Sequence, residues 1–204
     1  MKVPIFQLNA YTGQQAVIKP ALGIPQVAYQ YARNTAPAPQ VRNSSSIWQH
    51  TYISRFYMSA CPTGFGGVHW RLYLQYSDHP AKSIRVDCKP SGDDLRTGKV
   101  VFDLVDYAFS SKTAAGMMFK LLRPISVLSF WRMLCHYNIQ TYRYAPGVYG
   151  CRYWCQIVLK CLEVLGFLAP GEMALFLGYI ADRNRKEPNV YPLPIIRGEF
   201  LAGL

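Results

Sequence analysis

Val68-His69-Trp70-Arg71-Leu72-Tyr73-Leu74-Gln75-Tyr76 alternates without a break. Trp70, Leu72, Leu74 and Tyr76 fall on one side of an extended chain, and His69, Arg71, Tyr73 and Gln75 on the other. Successive side chains of a β-strand point to opposite faces, so this period of two predicts a strand with one apolar and one polar face. Working outward, Trp48 to Met58 also alternates and is rich in aromatics, which predicts a strand upstream. Cys61 to Gly67 is a turn-rich connection, and Ser77-Asp78-His79-Pro80 is a second one. A third strand follows over 82–88, with Ser83, Arg85 and Asp87 on its polar side and Ile84, Val86 and Cys88 on its core side. Antiparallel pairing of the second and third strands brings Asp87 beside His69 and Arg71 on one face. Ser91-Gly92-Asp93-Asp94 reads as another turn, and 99–107 as a fourth strand.

Helical patterning takes over beyond the strands. Pro124 to Tyr137 has the composition of a buried helix, with Pro124 near its first position. Thr141 to Gly150 reads as an aromatic loop carrying Arg143. From Trp154 the apolar residues fall at Ile157, Val158, Cys161, Leu162 and Leu165, the spacing of one helical face, and Gly166 stands where a helix-ending glycine belongs. A third helix is expected from about Gly171 to Arg185. Strands first and helices later predict an α+β domain, an antiparallel sheet with helices packed on one face. Residues 1–47, rich in Pro, Gln and Ala, read as an extended arm, 48–187 as a single domain, and 188–204 as a Pro-rich tail along the surface.

Half of the 204 residues are hydrophobic, which excludes a disordered chain. Lys and Arg number 22 against 11 Asp and Glu, a formal charge of +11 that attracts polyanions. No helix-turn-helix, zinc finger or ribonucleoprotein motif accompanies that charge, so nucleic acid, if bound, is held by its backbone and shape. Six cysteines without a CxxC pair, and four histidines, leave no metal site in view, and no cofactor is expected. The sequence carries no apolar leader and no run long enough to cross a bilayer, so a reduced, cytoplasmic protein is expected.

The helical stripe extends back one turn from Trp154 to Cys151, at the expected helix start. Unpaired N–H groups and the macrodipole favour thiolate there. With His69 as base, Cys151 becomes a candidate nucleophile; Asp87 is the best-placed residue to hold the imidazole, and the N–H groups of Cys151 and Arg152 could steady an oxyanion. His50, on the first expected strand, and His136, late in a helix, are weaker candidate bases.

The order His before Cys, with a histidine-bearing antiparallel sheet ahead of a helix headed by the nucleophile, resembles permuted NlpC-like (papain-like) folds, the arrangement of lecithin:retinol acyltransferase-like proteins. Gly150-Cys151-Arg152-Tyr153-Trp154 keeps their Cys and aromatic and departs at the preceding Asn and the intervening residues. His69 with Trp70-Arg71-Leu72 and the Cys151 helix also resemble an uncharacterised domain family of filamentous fungi. In general character the basic chain is similar to fungal arginine-containing cyclodipeptide synthases. That resemblance implies an aminoacyl-tRNA substrate and peptide-bond formation through an acyl-thioester. On this reading Arg71, Arg85, Arg143 and Arg152 gather around the site to bind substrate, and Asp103, Asp106, Glu163 or Glu172 supplies a carboxylate for an arginyl guanidinium. Two alternatives stand beside it: a thiol hydrolase or acyltransferase on a peptide, amide or lipid ester, and a basic nucleic-acid-binding domain without chemistry.

Overall fold

The strand expected at 68–76 forms as β3, Val68–Asp78, in a computed structural model that describes residues 41–42, 50–64, 67–91 and 93–201. The expected arm lies outside the described residues except for β1, Val41–Arg42. The other expected strands are β2 (Tyr52–Pro62), β4 (Ala81–Pro90) and β5 (Thr97–Val105). Three more were not expected: β6 (Ala115–Ser126), β7 (Thr141–Arg143) and β8 (Glu199–Phe200). The sheet runs β6-β2-β3-β4-β5-β7-β8, antiparallel throughout, and β1 lies parallel to β5. The helices are α1 (Val127–His136), α2 (Cys151–Val164) and α3 (Glu172–Lys186). The chain is therefore α+β, as its order of patterns implied. Among the described residues no helix is long and apolar enough to cross a membrane.

The alternation in β3 sorts its side chains as read. Trp70, Leu72 and Leu74 are buried with Ile84, Val86, Val100 and Phe102 of the neighbouring strands. All three helices cover this face. Phe130 and Trp131 of α1 meet Phe102 edge-on, Phe176 of α3 meets Trp70 at 5.5 Å, and α2 lies on β3. Each large side chain fully removed from water here contributes about 1.5–3 kcal/mol. The opposite face carries Tyr57, Tyr73 and Gln75, and the segment after β5 folds back across part of it. Phe109 packs on Tyr57 at 5.1 Å, Tyr107 on Tyr73 at 6.2 Å, and Thr113 bonds Ser59 at 2.6 Å.

The expected helix at Pro124 starts later. Ser126 caps it, its hydroxyl accepting from the Ser129 N–H at 3.1 Å, and Pro124 belongs to β6. Proline is tolerated there because β6 is an edge strand, paired with β2 alone. The tail is more than a surface coil: Tyr191 is fully buried, and β8 pairs with β7.

One irregularity positions the site. The β3–β4 ladder ends at Leu72↔Val86. Beyond it β3 continues with β2 as far as Val68, and β4 continues with β5 as far as Pro90. The two central strands thus part, and the start of α2 enters the gap.

Candidate active site

Helix α2 begins at a turn that only glycine fits. Gly150 has φ +120, and a Cβ there would lie 2.5 Å from the Tyr142 hydroxyl. That hydroxyl donates to the Gly150 carbonyl at 3.1 Å and accepts from the Gly198 N–H at 2.6 Å. Trp154 anchors the same turn of helix, fully buried with its indole N–H donated to the Ile139 carbonyl at 2.9 Å. The first turn of α2 has neither a capping side chain nor an acidic residue. Its N–H groups and dipole are left to act on Cys151.

Cys151 reaches the parted strands. The Trp70 N–H, which has no β4 partner beyond the end of the ladder, donates to Cys151 Sγ at 3.4 Å. His69 and Asp87 stand on the sheet face away from the helices, yet the thiol meets the imidazole through the opening between strands. His69 Nε2 lies 2.6 Å from Asp87 Oδ1, and the ring also hydrogen-bonds Cys151. Asp87 is 1 % exposed and His69 about a fifth exposed. Arg71 approaches the far oxygen of Asp87 at 3.7 Å.

The electrostatics follow from this chain of contacts. Burial pushes the Cys151 thiol up, but the His69 hydrogen bond and charge, with the Trp70 and Arg152 N–H groups, outweigh it and hold it below the ordinary thiol value. Burial likewise opposes the charged imidazole, and Asp87 and Cys151 overcome it, raising His69 to about 9. Asp87 moves down, its own burial outweighed by His69 and Arg71. Burial is the largest cause of the reverse shift in other cysteines: Cys135 rises to about 11. Cys161 also rises to about 11, and Cys88 to about 12. Cys155, one turn along the same helix, is raised well above its ordinary value. Cys151 differs by position and partners, not by residue type.

A cleft of about 250 Å³ opens beside the thiol. Its walls come from the start of β3, the turn before α2, and the strap of residues 187–198 that leads to β8. Arg152 ties the strap down by donating to the Pro192 carbonyl.

Of the four arginines expected to gather at the site, Arg71 and Arg152 stand there and Arg85 and Arg143 do not. Only Arg152 lines the cleft, and its guanidinium is buried on the strap. Arg71 faces Asp87, Arg85 bonds Asp103 at 2.7 Å, and Arg143 faces Asp94 at 3.5 Å. The expected carboxylates are also elsewhere. Asp103 is held by Arg85 and Lys89, exposed Asp106 faces Lys82, and Glu163 accepts the Met173 N–H at the start of α3. Glu172, in the first turn of α3, neighbours Glu163. The physical reason is local: ladder neighbours on the polar face neutralise one another before a ligand can use them. His50 is exposed ahead of β2, and His136 ends α1 against Tyr137 at 4.7 Å, so neither reaches Cys151. Among the described residues no three His, Cys, Asp or Glu side chains come together to hold a metal.

Sequence reasoning missed Tyr142 and the strap. Tyr142 carries no chemical signature, and the prolines of the tail mask the apolar residues that pack it. No curated protein and no solved structure matches the chain. A family model does match, over residues 57–201, a range running from β2 to β8 that contains Cys151, His69 and Asp87. The chain therefore belongs to the family described as Domain of unknown function (DUF7770).

Proposed function

We propose that the protein is a cysteine-dependent acyltransferase in which Cys151 is the nucleophile, His69 the base and Asp87 the residue that orients the imidazole. The reading rests on one observation: a helix-initiating thiol, an imidazole and a buried carboxylate meet in series through a gap between two strands. The thiolate attacks an activated carbonyl, and a carbon–sulfur bond forms as the carbon–oxygen bond to the leaving group breaks. His69, protonated beforehand, returns its proton to the departing oxygen. The N–H groups at the start of α2 are the donors assigned to steady the oxyanion. A second nucleophile then attacks the thioester, gives its proton to His69, and frees the thiolate.

The arrangement fits a permuted papain-like fold, in which the histidine strand precedes the cysteine helix. For the acyl donor we propose an aminoacyl-tRNA, with a dipeptide that cyclises as product. The formal charge of +11 supports this, because phosphate attraction supplies most of the affinity for such a donor. The test is intact-protein mass after incubation with charged tRNA. An aminoacyl adduct in the wild type, absent from a folded Cys151→Ala variant, is the expected result. An adduct that persists in Cys151→Ala would sink the assignment of the nucleophile. Labelling by simple activated esters but not by charged tRNA would leave a hydrolase or acyltransferase on small esters.

A further inference from the structure

The cleft beside Cys151 has a chemical character of its own. Val68 and Trp70 form one wall and Val190, Ile195 and Ile196 of the strap the other, with the neutral polar side chains of Tyr149 and Asn189 beside them. Among the described residues no aspartate or glutamate lines it. Its charged lining residue is Arg152, a buried residue whose guanidinium bonds the strap. A positively charged acyl chain entering this space would give up water, meet no anion and lie beside another cation. An apolar chain would instead exchange water for contact with the aliphatic and aromatic side chains of the two walls.

We infer that this cleft is the acyl-binding pocket and that it selects apolar acyl groups, excluding cationic ones such as arginyl. The inference rests on Cys151 being the nucleophile, and it assigns discrimination to the strap. If arginine takes part in the reaction, it enters as the second nucleophile and not as the group carried on the thiol. Acylation requires no component beyond the ester: the thiolate displaces the alcohol or phenolate, and the acyl carbon passes from oxygen to sulfur.

The experiment compares two p-nitrophenyl esters of equal carbon chain, hexanoate and its analogue ending in an ammonium, by the rate of mass gain on the full-length protein near neutral pH. The uncatalysed reaction of each ester with a free thiol gives the intrinsic reactivity for correction. The expected result is Cys151 acylation at least about tenfold faster with the apolar ester, the scale at which a pocket separates chains by polarity. Ile196→Glu, at a partly exposed lining position, should narrow or invert that preference, with the iodoacetamide rate of Cys151 in the same variant used to correct for any change in thiol reactivity. Equal corrected rates for the two esters, with label on Cys151, would overturn the selectivity and leave the nucleophile standing. No label on Cys151 from either ester, with alkylation no faster than for an ordinary thiol, would remove the nucleophile and the pocket's role together.

Discussion

Cys151 and Cys155 are one helical turn apart, and their thiols are driven in opposite directions. Iodoacetamide should therefore modify Cys151 near neutral pH and spare Cys88, Cys135, Cys155 and Cys161, as peptide mapping would read. Uniform labelling would contradict the site's electrostatics. His69→Gln should cancel the preference, and Asp87→Asn should slow acylation by roughly 10²- to 10⁴-fold by releasing the imidazole. The same pair sets a pH dependence of stability. The His69 value of about 9 exceeds its ordinary 6.5, so its contribution is fully present below that ordinary value and is lost as pH rises through about 9. Asp87 is depressed, so its contribution is lost as pH falls. Denaturation midpoints of wild type and His69→Gln should converge on the alkaline side of that window. The residues of this cluster were legible because each carries chemistry in its type. Tyr142 was not, since its importance lies in two backbone partners far apart in the sequence.

Elements were legible where one face is clean. Strands β3 and β4 alternate because one face meets helices and the other meets polar neighbours. Strand β6 was illegible: Met118 and Leu122 lie outside the core while Met117, Phe119 and Leu121 lie within it, so both faces are apolar and the period of two vanishes. Pro124 then imitated a helix start two residues ahead of the cap at Ser126. Helix α2 was legible through its stripe and through Gly166, whose φ of +71 ends it. Its start carries a sharper requirement. Gly150→Ala should cost about 1–3 kcal/mol, because a Cβ meets the Tyr142 hydroxyl at an unfavourable φ. It should also depress Cys151 labelling in the fraction that stays folded. Trp154→Ala should cost about 3–5 kcal/mol without changing the thiol's local partners, since it leaves a void below them. Thermal unfolding and alkylation rates, measured on both variants, separate the two effects.

At the scale of the molecule, the helix-covered face is a conventional core, and the Cys151, His69 and Asp87 cluster sits where the sheet stops being continuous. That gap was not visible in any one segment. It is a disagreement between two ladders, one ending at Leu72↔Val86 and its neighbours running on. The positive charge was plain in the composition, but its distribution was not, because arginines that looked available are neutralised on the sheet. Binding of uncharged tRNA should still weaken linearly on a log–log plot against salt, with a slope that counts the phosphates contacted. A flat dependence would remove the polyanion from the account.

The phenol of Tyr142 joins the turn before Cys151 to Gly198, so the reactive end of α2 is braced by a part of the chain synthesised much later. During translation, His69, Asp87 and Cys151 all leave the ribosome before their brace exists. Until the strap docks, the start of α2 should consequently be held less firmly against His69, and the thiol should be less reactive than in the finished protein. A chain stopped after residue 187 lacks both Pro192 and Gly198, and its Cys151 should alkylate more slowly than in the whole chain while keeping the bias that His69 and the Trp70 and Arg152 N–H groups impose.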